Sequence, residues 1–125
     1  MANINKSKKS ETGSYGEDIA CQYLIDHQYK IIERNFWKPW GEIDIIARDN
    51  DATIVFVEVK ALRKSNSLIP EDNMSAAKIS RIKRTVSLYI GNNSGMINEE
   101  RGFRIDLIAI DLDGPNSAIR HHKNI

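Results

Sequence analysis

Residues 41–60, GEIDIIARDNDATIVFVEVK, contain two strand-like runs around a polar turn. The first run, Glu42 to Arg48, alternates, with Ile43 and Ile45 on one face and Glu42, Asp44 and Ile46 on the other. Asp49-Asn50-Asp51 supplies turn chemistry. The second run, Thr53 to Lys60, is rich in β-branched residues. Val55, Val57 and Val59 fall on one face; Ile54, Phe56, Glu58 and Lys60 fall on the other. Apolar residues on both faces predict a central strand covered from both sides.

The turn fixes more than the fold. With Asn50, Asp51 and Ala52 as the hairpin loop, Asp49 pairs with Thr53 and Asp44 lies directly opposite Glu58. A one-residue slip would put the two carboxylates on opposite faces. Directly opposed residues have Cβ atoms ~5 Å apart, and two unit charges at that distance repel by ~3 kcal/mol at an effective dielectric near 20. Lys60, two residues from Glu58 and on the same face, offsets that repulsion; so would a divalent cation. Mg²⁺ and similar hard ions take oxygen ligands and often need only one or two carboxylates plus a phosphate. Asp44, Glu58 and Lys60 are therefore the candidate catalytic residues. Glu17 is a fourth candidate, because it lies on the core face of its helix. Two plainer readings stand beside these: Lys60 as an ordinary ion-pair partner, and Glu17 as the far end of a Ser14-x-x-Glu17 capping box.

Outward from this hairpin, residues 1–12 read as a flexible basic tail and residues 13–125 as a single domain. Ser14 to about His27 reads as a helix, with Glu17, Ala20, Cys21 and Leu24 on one face. Lys30 to Phe36 reads as a strand, Ala61 to Asn73 as a loop, and Ser75 to Ile90 as an amphipathic helix stopped at Gly91. Gly102 to Asp111 reads as a last strand, on which Asp106 pairs with Arg104 or Lys60. His121-His122 reads as part of a surface tail, and Cys21 as a small core residue. Trp37 and Trp40 flank Lys38 in a loop, where they either stack on bases or cover one end of the core. The order helix, strand, strand, strand, helix, strand describes a mixed α/β fold around one sheet.

Composition excludes several classes. Hydrophobic residues make up 41% of the 125 and charged residues 28%, which suits a soluble chain with one core. No apolar run approaches the ~20 residues of a membrane span. The first ten residues carry no apolar signal region, and a single cysteine suits a reducing compartment, so a cytoplasmic location is expected. Net charge is +1, but its distribution is uneven: residues 60–84 hold seven basic and two acidic side chains, net +5, against −4 elsewhere. Arg63, Lys64, Lys78, Arg81 and Arg84 are the expected nucleic-acid contacts in that window; a solvated helix face is the plainer reading.

Asp44, followed after a short hairpin by Glu58-Val59-Lys60, resembles the PD-(D/E)XK nuclease superfamily, with Ile43 in the proline position. More narrowly, GEIDIIARD (41–49), FVEVK (56–60), FRIDLIAI (103–110) and Gly16-Glu17-Asp18-Ile19-Ala20 are similar to the YraN family, in matching order and spacing over nearly the whole chain. One departure is Ala61-Leu62 after Lys60, where relatives commonly carry Thr-Arg. The resemblance implies a restriction-endonuclease-like α/β core related to archaeal Holliday-junction resolvases. It implies that Glu17, Asp44 and Glu58 bind Mg²⁺ or Mn²⁺ and that Lys60 assists the attacking water. The function expected is a metal-dependent endonuclease hydrolysing DNA, with branched DNA as one candidate substrate. The alternatives are a non-catalytic nucleic-acid-binding module and an adaptor in DNA repair or uptake.

Overall fold

A computed structural model of the protein describes residues 11–63, 69–113 and 118–125. The elements are α1 (Glu11–Asp26), β1 (Lys30–Lys38), β2 (Gly41–Arg48), β3 (Ile54–Leu62), α2 (Ala76–Asn92), β4 (Phe103–Asp111) and β5 (Ala118–His122), with 3₁₀ turns at Pro70–Asn73 and Ser94–Met96. The strands form one sheet in chain order, β1-β2-β3-β4-β5. All neighbours are antiparallel except β3 and β4, which are parallel and are joined through α2. A parallel pair needs a crossover of this kind, because no tight turn can connect two ends that lie at opposite edges.

β3 is covered on both faces, as its residue pattern requires. On one side Val55 and Val57 pack with Ile45, Ile108 and Ile110 beneath Ala20, Cys21 and Leu24 of α1. On the other, Ile54 and Phe56 pack with Ile46 and Ile105 beneath Ile82, Val86 and Tyr89 of α2. The result is the three-layer α/β arrangement that the resemblance to restriction endonucleases implies, with one strand more.

The β2–β3 hairpin has the register that brings the carboxylates together. Asp49 N donates to Thr53 O at 2.8 Å and Ala52 N donates to Asp49 O at 3.0 Å. Arg48 to Ile45 pair in order with Ile54 to Val57. Asp51 Oδ1 accepts from Thr53 N at 3.0 Å, and Ala52 adopts φ 76°, the left-handed residue that closes a three-residue hairpin.

Several sequence expectations are corrected. α1 begins at Glu11, inside the expected tail, so Ser14 is a helical residue and not an N-cap. Glu11 instead places a negative charge in the first turn, where the helix dipole favours it. The second helix runs through Gly91 to a cap at Asn93, whose N–H donates to Ile90 O; its start is as read, with Ser75 accepting from Lys78 N. Ile43 does not share a face with Ile45: it packs with Ile46 on the α2 side. Its register partner, Phe36, packs against the same cluster, and Asn35, next to Phe36 on β1, adopts φ 55°.

The largest correction is at the C-terminus. His121 and His122 lie on β5, a strand. As strand neighbours they point apart: His121 Nε2 meets Asp106 Oδ2 at 2.7 Å, while His122 Nε2 meets Glu71 Oε2 at 2.8 Å. Asp106 is fully buried and also accepts from Arg104 Nε at 3.1 Å and Asn124 N at 3.0 Å. These donors hold its pKa down against the upward push of burial. Asp106 therefore pairs with Arg104 and does not reach Lys60. Glu71, on the turn after β3, takes a bidentate Arg120 at 2.6 and 2.9 Å, which holds its pKa down at about 2 and ties that turn to β5.

Candidate active site

The end of the β2–β3 hairpin opens into a cleft of about 680 Å³. Its floor is Asp44, Glu58 and Lys60; α1 contributes Thr12, Gly13 and Glu17, and α2 contributes Lys78, Arg81 and Thr85. Two glycines let these walls close. A Cβ on Gly16 would stand 2.5 Å from the Ala61 Cβ, and one on Gly41 would stand 2.1 Å from Thr85 Oγ1. The small Ala61 after Lys60 thus complements Gly16, bringing Glu17 to the strand end.

Asp44 is buried, and its Oδ2 accepts from Val59 N at 2.8 Å. Backbone pairing of β2 with β3 extends as far as Ile45 and Val57. Beyond it, the Asp44 side chain satisfies a strand amide that would otherwise be left unpaired. Glu58 shares a hydrogen bond with Asp44, and its pKa is pushed up to about 7, first by burial and then by the Asp44 charge. Two cations oppose that push: Lys60 Nζ lies 3.4 Å and Lys78 Nζ 3.6 Å from Glu58 Oε2. The two amines also contact each other. Burial and the Lys60 contact pull the Lys78 pKa down. Burial alone would lower Lys60 as well, but the Glu58 and Asp44 carboxylates oppose burial and raise it.

Glu17 lines the same cleft but is engaged differently. Its Oε1 accepts from Arg34 Nε and from an Arg34 terminal nitrogen, both at 3.3 Å, and Arg34 also reaches Asp18 at 2.7 Å. Among the described residues, no three His, Cys, Asp or Glu side chains converge closely enough to hold a metal ion. Asp44 and Glu58 are brought together as expected; Glu17 stands in the wall beside them without completing a three-ligand set.

The expected nucleic-acid contacts divide. Lys78 turns inward to Glu58, and Arg81 lines the cleft. Arg84 is exposed and outside the lining, because steps of three residues drift ~60° per step around a helix of 3.6 residues per turn. Arg63 lies 3.8 Å from Asp113. Lys64 falls outside the described residues. Trp40 lines the cleft mouth, whereas Trp37, paired in register with Glu42, does not. Sequence reading named Lys78 as a nucleic-acid contact but not as a partner of Glu58, and it missed Arg34, which carried no signal beyond a charge within a strand.

Residues 16–110, which span the helix face of Glu17, the hairpin and β4, match the model described as Uncharacterised protein family UPF0102. The chain belongs to that family. UPF0102 proteins similar to it include one from Syntrophomonas wolfei, 36% identical over 111 residues covering 89% of this chain and 93% of that one. Another, from Aliivibrio salmonicida, is 38% identical over 109 residues, 87% of each chain. A solved chain titled as an EndoMS–dsDNA complex superposes on 79% of this UPF0102 chain with a TM-score of 0.42 and 14% identity; the match spans 36% of the EndoMS chain. No helix among the described residues of this UPF0102 member is long and apolar enough to cross a membrane.

Proposed function

We propose that this UPF0102 protein is a divalent-metal-dependent endonuclease acting on DNA. The observation that carries the reading is the contact between Asp44 and Glu58 at the floor of a cleft that also presents the cations Lys60, Lys78 and Arg81. Two carboxylates in contact mark a position where positive charge is needed, and hard oxygen donors suit Mg²⁺ or Mn²⁺. Asp44 and Glu58 are the residues that would hold the ion, with Glu17 in the adjoining wall. A bound ion there would supply an activated water and polarise a phosphate oxygen.

The chain's own groups do the rest. Glu58, in contact with Asp44, would hold the ion together with it in its carboxylate form. Lys60 and Lys78, beside Glu58 at the cleft floor, neutralise a phosphate whose negative charge grows toward the transition state. Arg81, at the rim, binds a neighbouring phosphate. A second reading, a DNA-binding module without catalysis, is favoured by one observation: two ammonium groups already compensate Glu58, and among the described residues no third acidic ligand joins the pair.

The deciding experiment is cleavage of a panel of linear, flapped, four-way and single-stranded DNA with Mg²⁺ or Mn²⁺. Cleavage of any member that Asp44→Asn abolishes supports the nuclease. Binding without cleavage across the panel supports the module.

A further inference from the structure

Trp40 stands at the cleft mouth on the β1–β2 turn, facing the same space as Lys60, Lys78 and Arg81. It is 37% exposed, unusual for an indole that the plainer reading makes a core cover. Its ring meets Phe36 at a centroid distance of 6.3 Å with planes inclined by 58°, so Phe36 does not stack face to face on it. The following Gly41 is pressed against Thr85 of α2, with no room for a side chain. The turn is thereby held in place, and the indole is preorganised at the rim.

An accessible aromatic side chain at a cleft that also holds Lys60, Lys78 and Arg81 matches the two demands of a single strand: stacking for a base and positive charge for its phosphates. A base in a duplex has both faces covered by its neighbours and offers none to Trp40. The cleft's volume of about 680 Å³ falls in the ~300–1,000 Å³ range of small-molecule sites, which admits nucleotides but not a double helix. We propose that Trp40 is a stacking platform for an unpaired base, so that the nucleic acid enters the cleft as a single strand with a phosphate directed at Lys60 and Lys78. This rests on the nucleic-acid reading above and specifies its substrate: DNA that is single-stranded at the point of engagement.

The test uses the full chain in EDTA, so that binding is read without cleavage. Trp37→Phe leaves Trp40 as the sole tryptophan reporter. An oligothymidylate of about a dozen nucleotides, within the ~4–16 that one such surface accommodates, should quench its emission at saturation. By anisotropy, Trp40→Leu should weaken oligothymidylate binding about tenfold, and Trp40→Phe, which keeps an aromatic face, by no more than about twofold. A blunt duplex should bind all three proteins equally. Unchanged emission at saturation, or equal affinity of a folded Trp40→Leu variant, would overturn the stacking platform while leaving nucleic-acid binding intact. Failure of every nucleic acid to bind the unsubstituted protein would overturn both. Should Trp40→Leu fail to fold, the emission measurement still decides.

Discussion

Lys78 Nζ of α2 lies 3.6 Å from Glu58 Oε2 of β3. The crossover helix thus inserts a second cation beside the carboxylate that Lys60 already faces. Lys78 lowers the Glu58 pKa against burial, so Lys78→Met should raise it further. Glu58 would then hold its proton to higher pH, and the alkaline-going rise in cleavage should move to higher pH, with a loss of about ten- to a hundredfold at neutrality. Carboxyl NMR of Glu58 and a pH–rate profile check this. A merely structural lysine would lower the melting temperature and leave the profile where it was.

Glu58 makes the protein's stability depend on pH. Its folded pKa, about 7, lies above the ordinary 4.5. The stability associated with the protonated form is fully present below pH 4.5 and is lost as pH rises from 4.5 through about 7. Glu58→Gln keeps a neutral group there at every pH. It should be more stable than the unsubstituted protein at pH 8, by up to roughly 3 kcal/mol, and nearly equal to it at pH 4.5. Denaturant titrations at the two pH values measure the difference. A constant difference would rule out Glu58 as its source.

Gly41 and Thr85 are coupled by contact. Gly41→Ala forces a Cβ to within 2.1 Å of Thr85 Oγ1 and should cost about 1–3 kcal/mol. In a Thr85→Ala background, which removes that oxygen, the cost should fall, giving a favourable coupling of about 1 kcal/mol in a double-mutant cycle. Additive effects would mean that the turn moves away freely.

Ala52 occupies φ 76° at the tip of the β2–β3 hairpin. A Cβ in that conformation costs ~1–2 kcal/mol, whereas glycine is free there at the expense of greater unfolded-chain entropy. Ala52→Gly should therefore stabilise the protein by roughly 0.5–1 kcal/mol. Thermal unfolding is the measurement; destabilisation would show that the strained position is better tolerated than its dihedral implies.

Asp106 holds three donors at zero exposure: Arg104, Asn124 N and His121. Asp106→Ala leaves Arg104 with Asp49 at 3.0 Å but takes the acceptor from His121 and from Asn124 N, and should cost about 1–3 kcal/mol. Hydrogen exchange should show β5 losing protection before β3. Loss spread evenly over the sheet would indicate that this network does not anchor the C-terminal strand.

Much of this was readable beforehand because it depends on neighbours in sequence. Alternation put Val55 and Val57 on one face of β3 and Ile54 and Phe56 on the other, and both faces are indeed covered. The three-residue turn fixed which residue opposes which, so the meeting of Asp44 and Glu58 followed from counting. Where local signals compete, reading was weaker. Ser14-x-x-Glu17 has capping-box spacing, yet Glu11 lies upstream inside the helix. Gly91 has the look of a stop, yet the helix continues through it to Asn93.

The sequence by itself determined the hairpin, its register and the pairing of two carboxylates with Lys60, since strand parity and turn length are local properties of the chain. Only the tertiary structure decided which distant groups answer them. Lys78 reaches Glu58 because α2 crosses the sheet face at that point; Arg34 takes Glu17 because β1 runs beneath α1; and His121 meets Asp106 because β5 pairs with β4. These contacts join residues 15 to 20 positions apart that lie on different elements. They exist only once burial has packed helices on both faces of the sheet and left each enclosed charge needing a partner.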